Sequence, residues 1–415
     1  MLALFVLGTA CGLLAALQQD QVIATLTGRE TTKDVVMITK GTDSANMGEP
    51  TTKGTVAGVA IGKKTVAQAK AAGVRPLSCG AAAPKRVNLE AAAISQLRKL
   101  AEHDAVCGNA TAARVSFFVG TPTTPDQARE EAIWVADTLK EISKFGLGAV
   151  VFMEPSYNGA SLNTAQYKAG AYDVALEAYF AALKSKGVTD AQMGVWVPFP
   201  EANIPVWNSV NPDDFIATVS RTVQFQKKHF PGSKASVMLD SKSYPSATSW
   251  EGGTYKSLLP YVAGMPKGLI DSVGLQGFSW PPQYGDPAQL DPSVFLPHQL
   301  AVEAAAALGV KDIWFNTGSY MRAARENKSK PDSLSSAQRQ KVMDGIVAQA
   351  KNARSKGYNV SIHLFAEDKF ATAEAIDWSF WDKGQSDAAS HKPVYRTFIN
   401  DLRTNNIPLW LFDSL

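Results

Sequence analysis

The sequence predicts an α/β protein, a single (β/α)8 TIM barrel with an N-terminal hydrophobic segment and linker. Three observations predict it. Short, almost continuously apolar runs recur eight times between residues 75 and 365, amphipathic stretches of helical period separate them, and no glycine-rich nucleotide fingerprint follows any of them. Apolar strands alternating with amphipathic helices imply a parallel sheet covered on its outside. Eight such units favour a closed barrel over a doubly wound sheet, which would also want the fingerprint.

The chain of 415 residues opens on an unbroken apolar run, Leu2 to Leu17. That is short for a membrane span and suits the h-region of a signal peptide, so residues 1–20 read as a signal peptide or membrane anchor. No Lys or Arg precedes the run, and Cys11 has its Leu one position too far away for a lipoprotein site. Residues 21–72, rich in Thr, Gly, Lys and Ala, read as a linker or pro-segment with one β-like run, Asp34 to Ile38. Gly58 to Thr65 lacks the spacing of a phosphate loop. The barrel is assigned to residues 73–415.

Within it the strand-like runs are Arg75 to Ser78, Arg114 to Val119, Ala149 to Met153, Gly194 to Val197, Ala235 to Leu239, Ser272 to Leu275, Ile313 to Phe315 and Val360 to Phe365. Helical spacing appears from Leu89 to His103 and from Pro125 to Phe145, the latter with a proline start. Asn211 is an N-cap with Pro212 at the first helical position, leading into Phe215 to His229. Gln299 to Leu308 and Ser336 to Lys356, closed by Gly357, complete the set.

Composition narrows the function. The 41 basic and 38 acidic residues are well mixed, with no basic block, so no nucleic-acid partner is expected. Three Cys and five His occur without CxxC or HExxH spacing, so neither a metal site nor a cofactor is expected. Export, to the medium or the cell surface, would let Cys79 and Cys107 pair as a disulfide, with the N-terminal segment as a tether. Asn109, Asn327 and Asn359 would be glycosylation sites only in a eukaryotic secretory pathway.

In such barrels chemistry sits where strands end and the following loops begin. The third run ends at Glu154, with Tyr157 close behind. The fourth, ValTrpValPro, leads through Phe199-Pro200 to Glu201, Asn203 and Trp207. The fifth ends at Asp240 and Lys242, the sixth at Gln276, Phe278 and Trp280, the seventh at Asn316. The eighth ends at Glu367, Asp368 and Lys369, with Asp377 and Trp378 following. Carboxylates and amides bind sugar hydroxyls while aromatic faces cover C–H surfaces, so this mouth predicts a polysaccharide or oligosaccharide substrate. A carboxyl group beside aromatic surface is also what protonation of a glycosidic oxygen requires. Plainer roles compete: Glu154 as a turn cap, Asp240 with Lys242 and Asp368 with Lys369 as ion pairs, Asp377 as a helix cap. Trp196 and Trp314 lie inside strands and read as core.

At this point the chain resembles glycoside hydrolase family 26, the β-mannanase family of the Glu/Glu barrel clan. The resemblance is carried by residues 148–187, with a strand ending at Glu154-Pro155 and the helix start Gly170-Ala171-Tyr172-Asp173. A later strand ends in Glu with Asn two residues on. Residues 271–278 are similar to the family's sixth strand, and 365–369 with Asp377-Trp378 to its last strand and loop. The resemblance implies that Glu201 is the acid/base and that Asn203 and Trp207 stand at the sugar. Three positions depart: Pro200 where the family has His, Phe278 where it has Tyr, and Asn316 where it has the nucleophile.

An amide cannot be a carboxylate nucleophile. Glu367, Glu154 or Asp240 could serve instead, or an inverting mechanism could use a base about 6.5–9.5 Å from Glu201. Otherwise the barrel binds glycan without cleaving it, as a cell-surface binding or structural protein. An engineered inactive variant is a further reading, though Gln or Ala would be the more natural replacement. The catalytic expectation is Glu201 with Glu367. Glu154, Tyr157, Asn203, Trp207, Asp240, Phe278, Trp280, Asn316, Asp368 and Trp378 are expected at the substrate. For the thiols, non-reducing alkylation of natively secreted protein should leave Cys79 and Cys107 unmodified; two alkylated thiols would sink the disulfide.

Overall fold

The computed structural model describes residues 114–412, apart from 158–159, 205–209, 244–253, 256, 280–289, 325–328, 331, 366–367, 370–375 and 379–392. The apolar N-terminal run, the linker, the strand expected at 75–78, the helix expected at 89–103, and Cys79 and Cys107 lie outside the described residues.

Eight parallel strands form the barrel: β1 (Arg114–Gly120), β2 (Gly148–Glu154), β3 (Val195–Pro198), β4 (Lys234–Asp240), β5 (Ser272–Ser279), β6 (Asp312–Ser319), β7 (Asn359–Phe365) and β8 (Leu409–Phe412). Each pairs with the next in chain order, and β8 pairs with β1 to close the ring. The predicted α/β barrel is the observed architecture. The longer helices between the strands are α1 (Pro125–Lys144), α2 (Asp173–Ser185), α3 (Pro212–His229), α4 (His298–Leu308), α5 (Ser336–Ser355) and α6 (Pro393–Thr404).

Local sequence explains their ends. Thr124 with Gln127 and Ser335 with Gln338 form capping boxes at α1 and α5, satisfying the first free N–H groups. Asn211 caps α3, whose first turn carries Asp213 and Asp214 and whose last turn carries Lys227, Lys228 and His229, matching the helix dipole at both ends. Gly309 takes the left-handed conformation that stops α4.

The ring differs from the expected one by one strand. The run at 75–78 is not among the described residues, and the circle is completed by Leu409–Phe412, a four-residue apolar strand after Pro408. Its Leu409 pairs with Ile362 and its Leu411 with Val115. Every strand from Arg114 onward therefore stands one place earlier than expected. Glu201 follows the third strand rather than the fourth, and Asn316 lies in the sixth rather than the seventh.

Strand alternation splits the core into two shells. One face packs outward against the helices: Trp196 of β3, for example, meets Tyr179 and Phe180 of α2 at ring separations of 6.0 and 5.3 Å. The other face fills the barrel with Phe118, Val150, Phe152, Val195, Val197, Met238 and Trp314. Both tryptophans are fully buried, as expected of core. The Trp314 indole lies across β5, where only a glycine leaves room: a Cβ at Gly274 would come within 2.5 Å of the ring. Its Nε1 donates to Ser236 Oγ at 2.8 Å. Gly274→Ala is expected to overpack this plug and to lower stability by about 1–3 kcal/mol, read from the midpoint of urea unfolding.

Candidate functional site at the barrel mouth

Strand register brings four polar side chains into one row above the Trp314 plug. Asp240 of β4 pairs with Gln276 of β5, Gln276 with Asn316 of β6, and Asn316 with His363 of β7. All four are buried, in a region where an unsatisfied polar group would be costly. They satisfy one another. Asn316 Nδ2 donates to Gln276 Oε1 at 2.6 Å, and His363 Nδ1 lies 2.6 Å from Asn316 Oδ1. On the far side His363 Nε2 is 3.1 Å from Ser116 Oγ of β1. At the near end Gln276 Nε2 donates both to Glu201 Oε1 and, at 3.2 Å, to Asp240 Oδ2.

Glu201 enters this row from the loop after β3. Phe199 and Glu201 both have positive φ, 52° and 58°, which non-glycine residues adopt at a cost of about 1–3 kcal/mol each. The flanking Pro198 and Pro200 supply no backbone N–H to continue a ladder, so the chain leaves strand geometry here. It is held by Phe199 N to Met153 O at 2.9 Å and Glu201 N to Met238 O at 3.0 Å. The outcome is a fully buried carboxyl group turned toward Asp240 and Gln276.

Asn203 fixes the spacing. Its Oδ1 accepts from Asp240 N at 2.9 Å and its Nδ2 donates to Asp240 O at 2.8 Å, clamping the loop after β3 to the end of β4. The amide expected at the sugar is thus engaged with backbone. Asp240 also accepts from Lys242 N at 2.7 Å, and burial pushes its carboxyl up to about 6 against those donors and the nearby Lys242 charge. His363 is pushed down to about 3 by burial and is neutral at neutral pH. Glu154, at the end of β2, is pushed up to about 8 by burial, with a Ser156 hydrogen bond opposing the shift. Its Oε1 has no hydrogen-bond partner among the described residues.

The remaining expected residues divide. Tyr157 is buried beside Gly120, whose missing Cβ would lie 3.1 Å from the ring. Phe278 and Trp378 meet edge to face at 5.5 Å, and Phe365 closes a three-ring cluster with them in the same manner. Phe278 and Trp378 are buried in this cluster, where an open stacking platform was expected. Asp377 lies 3.4 Å from Arg322, so it serves an ion pair in the small antiparallel sheet that also holds the backbone of Asp368. Trp207, Trp280 and Glu367 lie outside the described residues. Gln276, read at the end of its strand without an assigned role, proves central to the row, and His363 and Ser116 are additions to the expected site. Their signal is a polar residue at an inward-facing position of an otherwise apolar strand.

Among the described residues no group of His, Cys, Asp and Glu is arranged to hold a metal ion, and no helix is long and apolar enough to cross a membrane.

The titrations have opposite signs. Glu154 has an ordinary value of 4.5 and titrates in the fold at about 8, so between these the folded state holds the extra proton. Stability therefore falls as pH rises through that window. Asp240 acts in the same sense from 3.8 to about 6, and His363 in the opposite sense from about 3 to 6.5. From pH 6.5 to 8 Glu154 is the one of the three still titrating. Urea unfolding should show Glu154 contributing a loss of about 1–2 kcal/mol over that interval, so the slope there should be shallower in Glu154→Gln than in wild type.

No protein-family model matches the chain, and no curated protein matches it. Solved structures with similar backbones include an exo-β-1,4-mannosidase, Op5Man5 from Opitutaceae bacterium strain TAV5. It has TM-score 0.49 and 14% identity, over 80% of this chain and 58% of that one. A family 1 β-glucosidase from Thermotoga maritima has TM-score 0.45 and 11% identity, over 76% of this chain and 87% of that one. Likenesses this distant carry no argument about chemistry, which has to come from the side chains themselves.

Proposed function

We propose that the barrel mouth is the active site of a glycoside hydrolase acting on a polysaccharide, with Glu201 as the proton donor and Asp240 as its partner. The observation that carries this reading is the single amide nitrogen of Gln276 shared between the two carboxyl groups. Two oxygens that accept from one nitrogen stand within about 5–6 Å of each other, given ordinary hydrogen-bond lengths. That upper bound admits the separation of about 5–5.5 Å that a retaining pair uses and lies below the inverting range. Asp240 collects N–H donors from Lys242 and Gln276, which favours the anion at the attacking position. Glu201, fully buried with its Oε1 on Gln276, takes the role of protonating the leaving oxygen in this reading.

With Asp240 as the partner the nucleophile need not be sought at Asn316, and the one-place shift of the strand count bears on Glu201 as it does on Asn316. In the observed ring Asn316 belongs to the sixth strand, and the seventh leads from Phe365 to Glu367, the other candidate partner. The likeness to glycoside hydrolase family 26 belongs to this proposal. So do export to the medium or cell surface through residues 1–20, the linker at 21–72, and a full (β/α)8 barrel over 73–415. A second reading is a glycan-binding barrel without turnover, in which the carboxyl and amide groups of the row bind sugar hydroxyls and nothing is cleaved.

A panel of polysaccharides with product detection separates these. Turnover of at least one glycan is expected, and Glu201→Gln should reduce it by about 10²–10⁴-fold while glycan affinity stays within a few fold. Asp240→Asn should be as damaging, whereas Glu367→Gln should retain most activity. Full loss in Glu367→Gln with activity kept in Asp240→Asn would move the partner to β7. Binding without product across the panel would establish the silent barrel.

A further inference from the structure

We propose that Gln276 is a positioning residue, oriented from behind by Asn316, His363 and Ser116, that holds Glu201 and Asp240 together as one proton-sharing pair. For its consequence in turnover this rests on the reading of the mouth as a hydrolase site; the arrangement itself does not.

The atoms leave the row one direction. An amide oxygen only accepts, so at Asn316 Oδ1 the proton must sit on His363 Nδ1. The neutral ring then has its lone pair on Nε2, and Ser116 Oγ donates there. Asn316, with its oxygen engaged, turns its NH2 to Gln276 Oε1. Gln276 is therefore left with its NH2 edge toward Glu201 and Asp240. Every donor in the row points toward the carboxyl groups, and bonds aligned in this way polarise one another. Were Gln276 turned over, its oxygen would face both carboxyl groups at hydrogen-bonding distance.

The row also explains why these residues are neutral. A Lys or Arg at the Gln276 position would fix both neighbours as anions, whereas an amide supports the anion and lets one proton remain on the pair. Two carboxyl groups this close in a buried site titrate as a unit. The titratable groups around the pair come from each neighbouring element. Glu154 stands at the end of β2, Lys242 follows β4, and His363 is on β7, while β5 and β6 present the uncharged Gln276 and Asn316. Lys242 alone among these is a cation at neutral pH, and its coulombic effect on Asp240 is smaller than that of burial.

The test uses the full chain without substrate. Nitrogen NMR of histidine-labelled protein should show His363 as the Nδ1–H tautomer from pH 5 to 8; the Nε2–H tautomer would overturn the orientation. Carboxyl-carbon titration should then place the pair's apparent pKa about one to two units higher in Gln276→Met and in His363→Leu, the size expected for losing a charge-assisted donor. His363→Gln, whose amide can donate to Asn316 in place of the imidazole, should return it to within a few tenths of the wild-type value. Equal titration in wild type and Gln276→Met, or identical behaviour of His363→Leu and His363→Gln, would overturn the proposal. If a variant fails to fold, the wild-type tautomer still decides. With an active glycan, the limb of the kcat/KM profile set by the pair should move with the NMR value. Predicted titrations in a protein that hydrolyses nothing on the panel would refute the hydrolase reading and leave the positioning role standing. Hydrolysis without the titration shifts would do the reverse.

Discussion

In a closed parallel barrel every second side chain points inward, and an inward polar group must find its partner among other inward groups. The outer helices lie on the other side of the strands, out of its reach. This chain places a polar residue at the same height on four consecutive strands: Asp240, Gln276, Asn316 and His363. Because strand register fixes their height, any one of them satisfies its neighbour only if the neighbour is also polar and correctly turned. The rest of the mouth follows from that constraint. Below the row the barrel is filled by Trp314 over Gly274 and by the apolar side chains around it. Above it Phe278, Phe365 and Trp378 close one side. Glu201 and Asp240 sit where the donors end.

Backbone strain is spent at the same place. The two positive-φ residues in the Pro198–Glu201 segment are bulky or charged, and neither is a turn glycine. Phe199 is anchored among buried side chains and packs against Tyr167 at 5.4 Å, so its conformation is held by packing. The same twist turns the next carboxyl group inward. Such local cost is tolerated where the surroundings over-determine the geometry, and functional sites are where it concentrates.

Much of this was legible in the sequence, and the failures have physical causes. Seven of the ring's strands coincide with predicted apolar runs, because buried parallel strands carry apolar residues on both faces. The eighth, Leu409–Phe412, was missed: four apolar residues near the chain end have no periodicity to read. That omission shifted the strand count by one, for Glu201 as for Asn316. Reading strand ends found Glu201, Asp240, Gln276 and Asn316, which form the row or meet it, and Glu154 at the end of β2. It could not find Ser116 or His363, which lie within strands. Nor could it tell that Asn203 faces backbone, or that Phe278 and Trp378 pack edge to face, since side-chain direction depends on loops that carry no period.

The clamp formed by Asn203 has a mechanical consequence. One side chain grips both backbone groups of Asp240, so the segment carrying Glu201 and the end of β4 move as one body. The gap between the two carboxyl groups is thereby decoupled from whatever lies beyond Ile204 and beyond Lys242. Sequence changes beyond those two points leave the separation of the carboxyl groups where the asparagine sets it, so the barrel end acts as a fixed jig.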